Sequence, residues 1–416
     1  MEKKEKKKLQ LTSKILIGLV AGVIVGLILN ACGGADFANS YIKPFGTLFL
    51  NMIKMVVVPL VFASLVMGAC GLGDIRKVGR IGGKTLAYFL CTTAIAVVIG
   101  LAIGGLFKVG SGVTLTGTEA YEAKEPANFI DTILNIIPTN PFKALVEGNM
   151  LQVIAFALFL GIGIAVVGAR AETFKKGMDG FAEILYAVIG GIMKLAPYAV
   201  FALIIPVVAS QGAGILLPLV ILILAVYIAC ILHAVIVYSS TVSLFAKISP
   251  IKFFKTVAPA SLFAFTTASS SATLPFSMDC SKKLGVSPEI RSFVLPLGAT
   301  INMDGTAAFQ GICALFIATA YGIDLTAGQI ITIVLTAVLA SIGTAGVPGA
   351  GTVMLSMVLM QVGLPIEGVG IIMGVERILD MARTSVNVTG DIACSAVIAA
   401  SEKELDEKYT TMDLEA

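Results

Sequence analysis

The stretch "ILDMARTSVNVTGD", residues Ile378–Asp391, carries three charged side chains within a chain that is 57% hydrophobic and only 13% charged. In a helix at 100° per residue, five of its polar side chains fall within an arc of about 100°, together with the glutamate just before it. These residues are Glu376, Asp380, Arg383, Thr384, Asn387 and Asp391. One polar stripe therefore runs along one helix face, and the rest of the chain must explain what that stripe faces.

The composition is that of a polytopic membrane protein. The chain has 416 residues and a mean hydropathy of +0.96, and its charged content is about half of the ~25% usual in soluble domains. The formal charge of +3 is small and dispersed, which does not indicate nucleic acid as a partner. The seven cysteines are scattered and never spaced CxxC, so they indicate neither a disulfide framework nor a zinc site. We interpret them as small buried apolar side chains.

The start of the chain, "MEKKEKKK" followed by the apolar run Ile15–Ala31, has the basic beginning of a secretory signal peptide. The following "NACGGADFANS" offers no convincing cleavage site, and further apolar runs come after it. We therefore expect a retained first helix with its lysines on the cytoplasmic side. Removal as a signal peptide is the alternative.

Apolar windows of about 20 residues predict eight membrane spans. The predicted spans are 13–31, 42–70, 82–107, 128–169 with breaks, 172–209, 213–246, 287–318 and 366–401. The loops after the second, fourth and sixth spans are basic, whereas the loop after the third is acidic and that after the fifth is uncharged. This alternation predicts that both termini lie in the cytoplasm.

Two further apolar stretches do not fit as spans. Residues 253–283 have lysines at both ends, so both ends favour the cytoplasm, and residues 327–365 are two apolar halves broken by glycines and Pro348. Irregular backbone at membrane depth is tolerated only where protein or a watery cavity satisfies its polar groups. We predict two opposed re-entrant hairpins in an inverted repeat, with a binding site near the midplane. Two ordinary spans with glycine kinks are the alternative, and they would place the flanking charges on the wrong sides.

The motif "GATINMDGTA", residues Gly298–Ala307, interrupts the predicted seventh span with Asn302, Asp304 and Thr306. A carboxylate inside the membrane costs about 2.5–3.5 kcal/mol on insertion scales. An anionic oxygen with freed carbonyls and hydroxyls is a suitable ligand set for a hard monovalent cation.

Two other places add to this ligand chemistry. Asp391 with Asn387 offers a second set, and Thr92 and Thr93 in the third span add hydroxyls. Polar contacts between helices are the alternative. They explain the threonines easily but not the two carboxylates.

Arg383 is the only cation in the core of the stripe, and its planar fork suits a carboxylate. Asp380, one turn away, is positioned to pair with it structurally or to hold a substrate amine. The hairpin tips "SSSA" and "GTAGVPGAG" bring backbone N–H groups and hydroxyls toward the midplane, a suitable cradle for a second carboxylate. This combination matches an α-amino acid with an acidic side chain.

Other chemistry has little support in the sequence. His233, the only histidine, lies in an apolar run and is interpreted as a packed interior residue rather than a catalyst. A serine hydrolase would need a base near Ser269–Ser271, and neither a GxSxG elbow nor a Walker loop is present. We therefore expect neither an enzyme nor an ATP-driven pump. A passive channel is a further alternative, although broken hairpins closing over a charged pocket favour a gated carrier.

The motifs "SSSATLP", "GATINMDGTA", "ASIGTAGVPGAG" and "ILDMARTSVNVTGD" resemble the four signature regions of the dicarboxylate/amino acid:cation symporter family, the glutamate transporter homologues. The resemblance covers essentially the whole chain. It implies an all-α polytopic membrane protein with eight transmembrane helices and two opposed re-entrant helical hairpins. It also implies a homotrimer in the cell membrane with an elevator mechanism.

The resemblance further divides the chain into a static scaffold and a moving transport domain. The expected parts are scaffold helices 1–2 at 9–77, transport helix 3 with an extracellular loop at 78–127, scaffold helices 4–5 at 128–210, the main transport domain at 211–402 and a cytoplasmic tail at 403–416.

The site residues implied by the resemblance fall into one substrate set and three sodium sets. The substrate set is the backbone of Ser270, Val347 and Gly351 with the side chains of Thr306, Asp380, Arg383, Thr384 and Asn387. The first sodium set is the carbonyls of Gly298, Asn302 and Asn387 with the Asp391 carboxylate. The second is Thr92, Thr93, Asn302 and Asp304 with the Phe89 carbonyl. The third is the carbonyls of Thr300, Ser341, Ile342 and Thr344.

Some positions depart from the pattern of relatives. Many relatives carry a second arginine where this chain has Ala268 or Met381. Proton-coupled bacterial relatives tend to carry Asn at the position of Asp391. Dicarboxylate carriers lack the aspartate that matches Asp380. Relatives that counter-transport potassium have Glu in place of Gln310. The pattern therefore favours sodium-coupled uptake of aspartate or glutamate without an organic cofactor. A carrier of neutral amino acids or C4-dicarboxylates, or a proton-coupled glutamate symporter, is the alternative.

Overall fold

The computed structural model describes residues 11–70, 78–115, 137–342 and 350–406. Within these ranges the secondary structure is helical, apart from one isolated antiparallel bridge between Val286 and Leu405. The longer helices are α1 (Leu11–Ala31), α2 (Lys43–Cys70), α3 (Val78–Leu106), α4 (Met150–Val167), α5 (Glu172–Met193), α6 (Ala196–Gln211), α7 (Leu216–His233), α8 (Pro250–Thr267), α9 (Ser270–Lys283), α10 (Pro288–Ile301), α11 (Asp304–Ala320), α12 (Ala327–Ser341), α13 (Ala350–Val362) and α14 (Glu376–Glu402). The predicted all-α fold class is confirmed.

Shorter helical turns connect several of these helices. They are Ala35–Phe37, Ala38–Ile42, Pro141–Glu147, Gly168–Ala171, Gly212–Ile215, Ala234–Tyr238, Ser239–Leu244, Ile366–Gly368 and Val369–Met373. Those at Ala38–Ile42 and Ala234–Tyr238 are π-helical.

Several helical stretches of the described residues are long and apolar enough to cross a bilayer. The five that meet this criterion by length and composition are Ala35–Met67, Arg80–Leu106, Gln152–Ile192, Gly212–Leu244 and Pro288–Ala320. Large apolar side chains such as Ile17, Leu48 and Phe159 are exposed on the protein surface. The chain is therefore a multi-pass membrane protein. The stretch 366–401 is not among the five because its polar stripe lowers its hydropathy, and the count of eight spans stays a prediction.

Two predicted spans have breaks that the sequence did not predict. The fifth, 172–209, is α5 followed by α6, because Pro197 lacks an amide hydrogen and stands in the first turn of a new helix. The eighth, 366–401, begins as two short turns, and its long helix α14 starts only at Glu376. The seventh is broken as expected: α10 ends at Ile301, Asn302 is extended, and α11 starts at Asp304.

The first helix packs against α6 through glycines spaced one turn apart. A Cβ on Gly18 would lie 2.4 Å from the Pro197 carbonyl oxygen, and a Cβ on Gly22 would lie 2.4 Å from an Ile204 methyl carbon. Gly26 repeats the pattern one turn later, where a Cβ would lie 2.6 Å from Val208. Small residues at this spacing allow membrane helices to approach closely.

Helix α2 packs on α4, α5 and α6, so the helices predicted to form the scaffold contact one another.

The helices of both predicted hairpins are short. Helices α9, α12 and α13 have 14, 15 and 13 residues, fewer than the roughly 17–25 of a membrane span. Helix α8 has 18 residues, and Pro259 interrupts its backbone hydrogen bonding. Helices α8 and α9 meet at Ala268, whose φ of 48° is left-handed. We call α8 and α9 hairpin 1, and α12 and α13 hairpin 2. The tip of hairpin 2, residues 343–349, lies outside the described residues and contains Val347 and Thr344.

Helix α14 lies at the centre of the second group of helices. It packs against α8, α9, α10 and α11, and α11 in turn packs along α3. Nearly all side chains of α14 between Leu379 and Ala399 are buried or half-buried. The polar stripe therefore faces the protein interior rather than lipid. The division into scaffold and transport domain stays a prediction.

The end of α14, which is predicted to lie on the cytoplasmic side, forms a cluster of charged contacts. Lys84 of α3 donates to Glu402 Oε1 at 2.6 Å, and Arg80 donates to Glu402 Oε2. Just beyond, the Ser287 hydroxyl donates to Glu404 Oε2 at 2.6 Å, beside the bridge between Val286 and Leu405. We call these contacts of Glu402 the α14 clamp, because they tie α14 to α3.

The cysteines are unpaired, and most of them follow the sequence interpretation. Cys70, Cys230, Cys280, Cys313 and Cys394 are buried. The interpretation is wrong for Cys32 and Cys91, which are exposed, because Cys32 lies in the turn after α1 and Cys91 on an exposed face of α3.

Candidate functional site

Arg383 is held inside the protein by two carboxylates of its own helix. Its side chain is 1% exposed, and Nη2 donates to Glu376 Oε1 at 2.7 Å and to Asp380 Oδ1 at 2.8 Å. The guanidinium carbon lies 4.1 Å from the centre of the Phe309 ring, within cation–π range. The structural pairing of Asp380 with Arg383, one of the two alternatives from the sequence, is therefore present. Glu376 joins it because both carboxylates share the helix face of Arg383.

The Arg383 guanidinium nevertheless keeps free donors. Nε and Nη1 are buried and have no hydrogen-bond partner among the described residues. A buried donor without a partner costs about 1–3 kcal/mol. A Cβ on Gly351, at the start of α13, would lie 2.5 Å from Nη1, so this backbone comes close to the guanidinium. A carboxylate bound here would satisfy the free donors.

The formal charges of this cluster are unbalanced. Arg383 contributes one positive charge, whereas Glu376 and Asp380 contribute two negative ones. Asp380 Oδ1 also accepts a hydrogen bond of 3.2 Å from Thr384. An ammonium group beside Asp380 would offset the excess negative charge.

The start of α11 docks onto α14 beside this cluster. The Gly305 amide donates to Asn387 Oδ1 at 2.8 Å, and Asn387 Nδ2 lies 3.4 Å from Thr306 Oγ1. A Cβ on Gly305 would lie 2.5 Å from the Arg383 carbonyl oxygen, so a larger residue would separate the two helices. These contacts bring Thr306, Thr384, Asn387, Asp380 and Arg383 together. Ser270 is 5% exposed at the start of α9.

The residues of the first predicted sodium set lie close together around Asn302. Asn302 Nδ2 donates to Asp391 Oδ1 at 2.9 Å and to the Asn387 carbonyl at 2.8 Å. A Cβ on Gly298 would lie 2.5 Å from Asp391 Oδ1, so only glycine allows this approach. Asn302 Oδ1 is buried without a partner among the described residues. A carboxylate, carbonyls and an unsatisfied amide oxygen fit a hard monovalent cation.

The second predicted set surrounds Asp304, which is fully buried. Oδ1 accepts hydrogen bonds from Thr93 at 2.7 Å and from Thr92 at 3.2 Å. The Thr92 hydroxyl also lies 3.2 Å from the Phe89 carbonyl oxygen. The members of this set on α3 and α11 therefore meet, whereas the side-chain hydrogen bonds described for Asn302, the remaining member, are with Asp391 and the Asn387 carbonyl.

The other oxygen of Asp304 has partners that the sequence did not reveal. Tyr238 donates its hydroxyl to Oδ2 at 2.8 Å, and His233 Nε2 lies 3.1 Å from the same oxygen. Residues five apart do not share a face of an α-helix. Here they do, because the turn Ala234–Tyr238 is π-helical, and π-helical turns occur often at functional sites. His233 is buried, as expected, but it also contacts a predicted ion ligand.

The third predicted set is incomplete in the described residues. Thr300 is exposed, and its hydroxyl donates to the Leu297 carbonyl at 2.8 Å. Ser341 and Ile342 are buried at the end of α12. Because Thr344 lies outside the described residues, this set stays a prediction.

Comparison with known proteins decides the family. A model described as the sodium:dicarboxylate symporter family matches residues 11–401. The chain belongs to this family. The resemblance carried by the four motifs is therefore confirmed.

Several curated relatives cover nearly the whole chain. A proton/sodium-glutamate symport protein of Bacillus caldotenax is 38% identical over 411 residues, which are 97% of each chain. The proton/glutamate-aspartate symporter of Escherichia coli is 36% identical over 416 residues, covering 96% of this chain and 95% of the relative. A C4-dicarboxylate transport protein of Bacillus subtilis is 32% identical over 406 residues, covering 95% and 94%. Family membership thus supports a cation-coupled symporter, and the choice of ion and substrate depends on the site.

Proposed function

We propose that this family member takes up an acidic amino acid, aspartate or glutamate, and couples its uptake to the sodium gradient. The observation that carries the proposal is the Arg383 guanidinium, which has free buried donors next to the Asp380 carboxylate. The free donors suit the side-chain carboxylate of the substrate, and Asp380 suits its ammonium group. The start of α13 offers backbone N–H groups for the α-carboxylate.

The support for sodium lies in the two oxygen-rich sets. Both carboxylates are buried: Asp391 accepts a hydrogen bond from the Asn302 amide nitrogen, and Asp304 accepts hydrogen bonds from the Thr92 and Thr93 hydroxyls. A bound cation would offset the burial of each carboxylate and would satisfy Asn302 Oδ1. The same arrangement would also accept a proton on either carboxylate, which makes ion selectivity the decisive measurement.

The remaining features of the proposal follow from the family resemblance. They are a homotrimer, an elevator motion of the transport domain against the scaffold, and cytoplasmic termini. Helix α2 packs more extensively on α4, α5 and α6 than on the helices of the group around α14, which supports a division into a static scaffold and a moving transport domain.

Uptake of radiolabelled aspartate into proteoliposomes tests the proposal. Sodium, proton and potassium gradients are imposed one at a time. We expect uptake with an inward sodium gradient alone and no further dependence on the other two. Uptake that follows an imposed pH gradient without sodium would contradict the sodium assignment.

A carrier of C4-dicarboxylates is the second candidate, because relatives at 32–34% identity bear that name. A dicarboxylate lacks the ammonium group that Asp380 would hold. Competition by unlabelled glutamate, succinate and alanine in the same assay separates the candidates. Succinate that competes better than glutamate would favour the second candidate.

A further inference from the structure

Arg377, near the start of α14, binds the backbone of hairpin 1. Its Nη2 lies 3.1 Å from the Thr267 carbonyl oxygen and 3.3 Å from that of Thr266. These are the last two carbonyls of α8, which have no partner within their own helix. The C-terminal end of a helix also carries partial negative charge, which favours a cation. Arg377 therefore caps α8 from a different helix.

The capped carbonyls lead directly into the tip of hairpin 1. Ala268 follows in a left-handed conformation, with φ 48° and ψ 46°, which L residues adopt only when the surroundings enforce it. Ser269 then caps α9, because its hydroxyl accepts the Ala272 amide at 3.2 Å. The tip is thus held on one side by its own serine and on the other by Arg377. Ser270, a predicted substrate contact, is the next residue.

The other described contacts between hairpin 1 and α14 are neutral. The Ser385 hydroxyl donates to the Ser261 carbonyl at 3.0 Å, Ser261 and Thr389 hydroxyls lie 2.7 Å apart, and Ser281 lies 2.8 Å from Ser395. Among these described contacts, the one made by a charged side chain is that of Arg377 at the tip. Arg377 lies three positions before Asp380.

We propose that Arg377 is a positioning residue of the substrate site. Its guanidinium holds the tip of hairpin 1 against α14, so that Ser270 keeps its place in the pocket with Asp380 and Arg383. It acts through the Thr266 and Thr267 carbonyls and does not touch the substrate. This chain lacks an arginine at Ala268 and at Met381, and Arg377 supplies a guanidinium beside the same tip, one turn before Met381. The inference rests on the proposed function.

The test compares Arg377 with a second arginine that binds a carbonyl far from the tip. Arg291 Nη1 donates to the Val286 carbonyl at 3.0 Å, just after hairpin 1 ends. The purified full-length chain is titrated with aspartate at saturating sodium, and with sodium in the absence of aspartate. The variants are Arg377→Gln, Arg377→Lys and the control Arg291→Gln.

We expect Arg377→Gln to raise the aspartate Kd about tenfold, as the loss of one charged hydrogen-bonding group predicts. The sodium midpoint without aspartate should stay within about twofold, Arg377→Lys should recover most of the loss, and Arg291→Gln should change neither value. An unchanged aspartate Kd in Arg377→Gln, or a parallel loss of sodium affinity, would overturn the proposal.

Two further outcomes keep the test decisive. If Arg377→Gln does not fold, Arg377→Lys must still raise the aspartate Kd above that of Arg291→Gln, and equal values would reject the positioning role. If the unmodified chain does not bind aspartate in sodium, the proposed function fails instead.

Discussion

Arg383 Nη2 donates to Asp380 Oδ1 at 2.8 Å, so the two side chains proposed to bind opposite ends of the substrate are in direct contact. This ion pair does not use all the donors of the Arg383 guanidinium, because Nε and Nη1 have no hydrogen-bond partner in the described part of the chain. A substrate carboxylate therefore has donors without displacing Asp380. It also follows that a substitution of either residue changes the charge around the other, so each test needs a variant that controls for charge.

Replacing Arg383 should remove the selectivity for an acidic side chain. In Arg383→Cys we expect aspartate affinity to fall by about 100-fold or more, since truncating one partner of a buried charge pair typically costs 2–5 kcal/mol. Binding of small neutral amino acids should persist. The measurement is calorimetric titration with aspartate, serine and alanine.

Charge balance complicates that variant, because it leaves Glu376 and Asp380 buried without their cation. The double variant Arg383→Cys with Glu376→Gln restores the original net charge of the cluster. Aspartate affinity that stays near the unmodified value in either variant would reject the role of Arg383.

Asp380→Asn keeps the shape of the side chain and removes its charge. Because the ammonium group of the substrate then lacks a counter-charge, amino acid affinity should fall by about 10- to 100-fold. Sodium affinity without substrate should change far less. Glu376→Gln is the matched control, since it removes the other carboxylate bound to Arg383 Nη2. A collapse of sodium affinity in Asp380→Asn would instead assign Asp380 to an ion site.

Gly351→Ala tests the close approach of hairpin 2 to the arginine. The new Cβ would lie 2.5 Å from Arg383 Nη1, and the guanidinium cannot retreat easily between Phe309 and its two carboxylates. We expect aspartate affinity to fall about tenfold. Gly105→Ala is the control, because a Cβ there meets no atom within 4 Å. Equal affinities in the two variants would show that this contact does not matter.

Asp391 should make substrate binding depend on sodium rather than on protons. A carboxylate that binds sodium must be ionised, and if the ion shapes the pocket, sodium and substrate must raise each other's affinity to the same degree. Aspartate affinity should therefore rise steeply with sodium concentration. Asp391→Asn should blunt this rise, whereas the exposed Asp279→Asn, whose carboxylate pairs with Lys283, should not.

The measurement for Asp391 is aspartate calorimetry across a sodium series at two pH values. Aspartate affinity that changes with pH but not with sodium concentration would refute the ion-site interpretation of both Asp391 and Asp304.

The α14 clamp predicts a pH-dependent contribution to stability. Lys84, and to a lesser degree Arg80, hydrogen-bond the carboxylate of Glu402 and lower its pKa from the ordinary value of 4.5. A lowered pKa in the folded state means that the stabilisation is present above pH 4.5 and is lost as pH falls through the lowered value. Glu402→Gln should therefore unfold at a lower temperature near neutral pH and converge with the unmodified chain in acid.

Thermal unfolding followed by circular dichroism between neutral pH and acid measures this difference. Glu172→Gln is the control, because Glu172 forms an exposed ion pair with Lys176 on one helix, and such pairs contribute little. A difference for Glu402→Gln that persists unchanged in acid would contradict the assignment.

The sequence by itself determined the membrane character, the polar stripe of α14, the break at Asn302 and the short helices of both hairpins. These features are local. Hydropathy, helical periodicity and the backbone preferences of glycine and proline act over a few turns, so spacing along the chain is enough to predict them. The family motifs added which distant residues belong to one site.

Only the tertiary structure decided which partners these residues have. Glu376 lay on the predicted stripe, but its bond to Arg383 depends on the side-chain conformation in the packed helix group. His233 and Tyr238 reach Asp304 only because a π-helical turn changes the register of their helix. Arg377 reaches Thr266 and Thr267 across more than a hundred residues of chain. Such contacts depend on how helices distant in sequence pack together, and helical periodicity carries no information about that.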